Sequence, residues 1–169
     1  MGWLWNTTHD IFDETEGDFV EICICGLSAE QVTAGYNFIR SKTRGLRGNP
    51  TFYSYEAQDD LAIDEVLNAA EIVCKRQGKP FHFVSATTKI GRCNLSDLGF
   101  FIFDNAIAID FQRGSAWGEI QILSLLKIIS EIRQNASESF IRLSSRLNPE
   151  YRSRLETAMQ KLAVEEEDN

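Results

Sequence analysis

At 169 residues, with 43% hydrophobic and 11% aromatic side chains and only three prolines, the chain has the size and composition of one folded domain, which excludes disordered and collagen-like classes. A chain of this length buries roughly two thirds of its unfolded surface, and eleven phenylalanines supply a core for it. The formal charge of −8 argues against direct binding to nucleic acid or to an anionic membrane, and for a basic protein partner.

The charge is unevenly placed. Residues 1–39 hold seven acids and no base, and residues 48–74 hold six more acids, again without a base. Between them, Arg40, Lys42, Arg44 and Arg47 form a short basic cluster. No run of eighteen apolar residues is present, and the N-terminus lacks the basic, apolar, small-residue order of a signal peptide, so a cytoplasmic location is expected. Gly2 begins a myristoylation-like stretch, but Asn6 stands where that signal requires Ser or Thr.

In chain order, residues 1–17, "MGWLWNTTHDIFDETEG", read as an N-terminal arm or short strand, docked because its tryptophans would otherwise face water. "DFVEICIC" alternates as a strand with Val20, Ile22 and Ile24 on one face and Cys23 and Cys25 together on the other. Ser28 and Gln31 form a capping-box pair at the start of a helix carrying Val32, Tyr36 and Ile39, with Gly35 as a close-packing point. "RGLRGNP" ends that helix, "TFYSYE" alternates as a strand, "AQDDLAID" reads as an acidic loop, and "EVLNAAEIVCKRQG" as a short helix using Val66, Leu67, Ala70 and Val73. "KPFHFVSATTKI" is strand-like. "GFFIFDNAIAIDFQ" holds two strands around a turn at Asp104 and Asn105, residues that tolerate positive φ.

From Trp117 the period lengthens. "WGEIQILSLLKIISEIRQN" predicts a strongly apolar helix lying centrally on the sheet, and residues 137–169 read as a helical extension whose final helix starts after Asn148, with Pro149 at its first position, and frays in an acidic tail. Consecutive strands followed by helices point to a single α+β domain spanning 1–169, with a largely antiparallel sheet.

Chemistry is sparse along the chain. "RGSAWG" lies between a strand and a helix, but it matches neither a phosphate-binding loop nor a nucleophile elbow, and it reads as scaffold with Ser115 capping the helix. Asp97, Asp104 and Asp110 lie near the ends of a hairpin, with Asp110 expected to pair locally with Arg113. His9 falls in the acidic arm, and His82 alternates with Phe81 and Phe83. Cys23, Cys25, Cys74 and Cys93 lack the C-x-x-C spacing of zinc knuckles, so free thiols are expected and neither a metal nor a cofactor.

What remains is binding. Asp10, Asp13, Glu14, Glu16 and Asp18 form one acidic cluster around Ile11 and Phe12; Asp59, Asp60, Asp64 and Glu65 form another beside Tyr53 and Tyr55. Acids around aromatic anchors suit capture of a basic protein surface. With "DIFDETEGD" and "YEAQDDLAIDE" and no catalytic motif, the chain resembles, as a class, the immunity proteins that bacteria encode beside polymorphic or contact-dependent toxins. The resemblance implies a non-enzymatic protein that binds one toxin domain and blocks its active site or substrate groove. Two other expectations stand beside it: an adaptor or self-associating module using the helix from Trp117 to Ile132, and a small enzyme using Asp104 or Asp110 with His82.

Overall fold

The computed structural model describes residues 2–13, 18–144 and 148–167, with the side chains of 13 and 165–167 outside that description. Its centre is β1 (Phe19–Cys25), whose alternation buries Val20, Ile22 and Ile24 on one side and turns Glu21, Cys23 and Cys25 to the other. Around it a five-stranded antiparallel sheet forms from β4 (Phe81–Ile90), β5 (Cys93–Ile102), β6 (Ala106–Gln112) and β7 (Phe140–Leu143). The strand order is β4-β5-β6-β1-β7. The architecture is the expected α+β domain.

Helices cover the Ile22 face. In α2 (Ala29–Lys42) the capping box is present: the Gln31 N–H donates to Ser28 Oγ at 3.3 Å, and the Ser28 N–H donates to Gln31 Oε1 at 2.8 Å. Gly35 lets this helix reach the sheet, since a Cβ there would lie 2.8 Å from Ile107 Cδ1. Beside α2 lies α4 (Glu119–Arg133), which buries Ile122, Leu125, Leu126, Ile128, Ile129 and Ile132. Its N-cap is Gly118, where Gln121 Oε1 accepts the Gly118 N–H at 3.2 Å, so the expected Ser115 cap is displaced by three residues. Trp117 folds under the helix start as expected, with its ring 4.6 Å from that of Phe111 and its Nε1–H donating to Gln112 O at 2.8 Å.

The N-terminal end departs from the sequence reading, and the C-terminal segment departs in part: its final helix forms where expected, but a strand precedes it. The described part of the N-terminal arm is not a strand but α1 (Gly2–Asp13), which contacts α4 and α5 (Glu150–Glu167), buries Leu4, Ile11 and Phe12, and stacks Phe12 on Phe111 and Trp117. Its C-terminal carbonyls are closed by the "RGSAWG" loop: the Arg113 guanidinium donates to Asp10 O, and the Gly114 N–H donates to Phe12 O at 2.9 Å. The loop thus ties the end of α1 to the strand that precedes it. In the 137–169 segment, residues Phe140–Leu143 are β7, not helix, and complete the sheet edge beside β1.

The middle of the chain holds a second, two-stranded sheet of β2 (Thr51–Ser54) and β3 (Asp59–Ala62), so the expected acidic loop contains a strand. The helix after it is short, α3 (Ala69–Cys74), capped by Asn68 Oδ1 accepting the Glu71 N–H at 3.0 Å. This leaves Val66 and Leu67 outside the helix. The β5–β6 turn sits at Asp104 and Asn105 as expected, but neither adopts positive φ; among the described non-glycine residues Gln58, Arg76, Asp97 and Asn135 do.

Asp97, at φ +51°, has a structural consequence. On β5 the buried positions change from Cys93 and Leu95 to Leu98, Phe100 and Ile102, and on β4 from Phe81, Phe83 and Ser85 to Thr88. Both strands shift together, so the pairing Ser85↔Leu98 and Thr87↔Ser96 keeps one register. Residues 43–47 bind the β4 edge here, with the Ala86 N–H donating to Gly45 O at 3.0 Å and Arg47 paired to Asp97 at 2.6 Å. Among the described residues, no helix is long and apolar enough to cross a membrane.

Candidate functional site

The β2–β3 hairpin is fixed to the body by its inward side chains and its outer edge. Phe52 and Ser54 are buried, with the Phe52 ring 5.9 Å from that of Phe81. The Tyr55 N–H donates to Gln77 O at 2.8 Å and the Lys79 N–H to Tyr53 O at 2.9 Å, an approach that Gly78 permits because a Cβ there would sit 3.0 Å from the Tyr53 carbonyl and the Phe52 ring. Gln58, at φ +55°, closes the turn, and the Ala57 N–H donates to Ser54 Oγ at 3.2 Å. The pleat then aims Tyr53 and Asp60, which are cross-strand partners, away from the buried side.

The acidic residues divide by use. Asp64 Oδ1 accepts from Arg40 Nη2 at 2.5 Å, and Arg40 also lies 5.9 Å from the Tyr36 ring centroid and 5.8 Å from that of Phe83. Asp64 therefore orients an internal cation. Asp59, Asp60 and Glu65 are exposed, and none of them forms an ion pair among the described residues. Asp59 Oδ1 accepts only the neighbouring Asp60 N–H at 2.8 Å, and Glu65 Oε2 the Ala62 N–H at 3.4 Å. Tyr53 packs edge-on against Tyr55 at 5.9 Å with the Lys79 ammonium 4.9 Å over its ring, while Tyr55 remains 45% exposed. Leu67, fully exposed, was missed by the sequence reading, although Asn68 as a helix cap would have placed it in the loop.

At the other predicted cluster, Asp10 is committed to the fold. Arg154 of α5 grips its carboxylate with two bonds of 2.8 and 2.6 Å and donates to Thr7 O as well. The Arg154 guanidinium holds the Asp10 carboxyl below its ordinary range. Glu14 and Glu16, and the side chain of Asp13, lie outside the described residues. The basic cluster is likewise tied down: Arg40 to Asp64, Arg47 to Asp97, and Lys42 over the Phe38 ring at 5.5 Å.

The sheet face opposite the helices is the second place where chemistry gathers. Register sets His82, Phe101, Ala108, Cys23 and Arg142 in one row across five strands. Its small apolar cluster is Cys23, Ala106 and Ala108, with Cys25, Phe101 and Phe103 packed on it. Asp110 reaches across Gly99 to His82, Oδ1 to Nε2 at 2.8 Å, and not to Arg113 as expected from proximity in sequence. Gly99 makes this possible, since a Cβ there would lie 2.1 Å from Asp110 Oδ1. The neighbouring side chains on this face are Val84, Phe101, Ala108 and Glu21, none a nucleophile, and Cys23 stands three strand spacings from His82, about 14 Å. Asp104 points elsewhere, 3.6 Å from Arg76.

Among the described residues no group of three or more His, Cys, Asp and Glu side chains is arranged to hold a metal ion, so the four cysteines do not converge. They are free thiols. Cys23 Sγ and Cys25 Sγ are 3.0 Å apart, and burial, reinforced by the Cys25 thiol, pushes the Cys23 thiol up to about 12. No family model, no curated protein and no solved structure matches the chain.

Proposed function

We propose that the protein is a non-enzymatic binding protein that captures a basic protein surface through the β2–β3 hairpin, with Asp59, Asp60 and Glu65 supplying charge and Tyr55 and Leu67 supplying contact. The observation that carries this reading is that Asp59 and Asp60 on the hairpin and Glu65 just after it are exposed and form no ion pair among the described residues, with Tyr55 exposed at the hairpin turn and Leu67 in the loop after β3. Unpaired acids on a chain of net charge −8 accelerate encounter with a cationic partner, and the apolar groups hold it after docking. The same field disfavours nucleic acid and anionic membrane.

The class resemblance to immunity proteins narrows the partner to a toxin domain met in the cytoplasm, whose active site or substrate groove the hairpin blocks. For a nuclease, the carboxylates would stand where substrate phosphates bind. Self-association through α4 has less support, because its apolar stripe is inside the core and Ile120 is its only exposed large apolar side chain.

The test is co-expression with the toxin domain encoded next to the protein's own gene. The wild type restores growth, and Asp59→Lys/Asp60→Lys, which accumulates as a folded protein, does not. Equal rescue by that variant removes the hairpin as the site, and no rescue by the wild type removes the immunity reading.

A further inference from the structure

The sheet face opposite the helices carries a feature that capture of a basic partner does not use. Cys23 and Cys25 occupy alternate positions of the central strand β1, their Sγ atoms 3.0 Å apart, with β6 on one side and β7 on the other. Their partners on β6 are Ala108 and Ala106, which pack with them in one small cluster bordered by Phe101 and Phe103. On β7 their partners are Arg142 and Phe140, and Arg142 Nη2 lies 4.0 Å from Cys23 Sγ. Cys23 is 2% exposed, whereas Cys25 is only partly buried, which provides a route of entry.

Three properties of this pair restrict its chemistry. It has two sulfur donors and, among the described residues, no third ligand, which rules out the four-coordinate shell of a structural zinc. Direct disulfide closure is opposed by the strand: alternate residues of an extended chain have Cα atoms about 6.6 Å apart, near the upper limit for a disulfide. Pairing to β6 and β7 on both sides prevents β1 from puckering to shorten that span. Ligating an ion leaves the strand as it is, but it needs the two side chains to rotate apart, because the 3.0 Å between the sulfurs is less than two metal–sulfur bonds of about 2.3 Å. Two soft donors in an apolar setting select a soft ion that is content with few ligands.

We propose that Cys23 and Cys25 form a two-thiolate site for monovalent copper, with Arg142 as a positioning residue. On binding, each S–H bond gives its proton to solvent as a sulfur–copper bond forms, and no electron changes hands. Two thiolates and one Cu⁺ leave a single negative charge, which the Arg142 guanidinium offsets; Phe101 and Phe103 wall the site on the β5 side.

The test uses the reduced full-length protein under anaerobic conditions, titrated with Cu(I) against a chromogenic Cu(I) chelator. The wild type and Cys74→Ser each withdraw one equivalent, Cys25→Ser withdraws none, and Arg142→Gln binds about tenfold more weakly while keeping the stoichiometry. In a second readout that needs no variant, bound Cu(I) protects Cys23 and Cys25 of the wild type from alkylation, as read by mass spectrometry. Equal withdrawal by Cys25→Ser, no withdrawal by the wild type, unprotected Cys23 and Cys25, or appearance of a Cys23–Cys25 disulfide in place of the copper complex would each overturn the site. None of these outcomes bears on the hairpin, which lies on separate strands.

Discussion

The N-terminal acidic stretch and the β2–β3 hairpin look alike in sequence, each a group of carboxylates around aromatic or apolar side chains, yet the fold uses them in opposite ways. Asp10 is drawn into α1, gripped by Arg154 of α5, and set above a buried row of Leu4, Ile11 and Phe12. Asp60 is held outward beside Tyr53 on the face opposite Phe52 and Ser54, Asp59 is exposed at the turn end of β3, and Glu65 is exposed just after that strand. Acidic density in a sequence thus says little about availability. What decides is whether a cation arrives from elsewhere in the chain, as Arg154 does for Asp10 and Arg40 does for Asp64.

That contrast can be broken from either side. The largest effect is expected from Phe12→Ala, which removes a ring packed 5.3 Å from Phe111 and 5.0 Å from Trp117 and should cost about 3–5 kcal/mol of unfolding free energy in a denaturant titration. Asp10→Asn should cost less, about 1–3 kcal/mol, because it leaves Arg154 without its charged partner. The effect is pH-dependent. Since folding lowers the Asp10 pKa below its ordinary value of 3.8, the wild-type contribution is full above that value and is lost as the pH falls through the folded pKa, so wild type and Asp10→Asn should converge in acid. Neither effect on stability is expected from Asp59→Lys/Asp60→Lys. That pair should instead lower partner affinity at least tenfold, about 1.4 kcal/mol, with an unchanged melting temperature. Smallest is Asp64→Asn, whose half-exposed pair with Arg40 should be worth under about 1 kcal/mol in the same titration.

The sequence was most legible where local pattern and tertiary role coincide. β1, β4 and β6 alternate, α2 carries its own capping box, and Val32, Tyr36 and Ile39 mark its buried side, so these elements are specified by near neighbours. α1 hides its period because Thr8, a polar residue whose hydroxyl donates to Leu4 O at 2.7 Å, occupies one of the buried positions between Leu4 and Ile11. β3, with Asp59 and Asp60, contradicts strand propensity and exists because β2 pairs with it; β7, four residues long, exists because β1 offers an edge.

Within the candidate sites the same division holds. The exposure of Tyr55 and the shared face of Cys23 and Cys25 follow from strand alternation, whereas the Asp110–His82 contact needs Gly99 on the strand between them. Arg154 lies 144 residues from Asp10, and nothing local to either residue announces the pair.

The most direct measurement is a calorimetric titration of the basic partner proposed above into wild type, Asp10→Asn and Asp59→Lys/Asp60→Lys, at low salt and again near physiological ionic strength. If the hairpin is the docking surface, Asp10→Asn binds like the wild type, the double reversal loses at least tenfold in affinity, and most of the salt dependence disappears with it. Equal affinity and equal salt dependence in all three proteins would contradict the account.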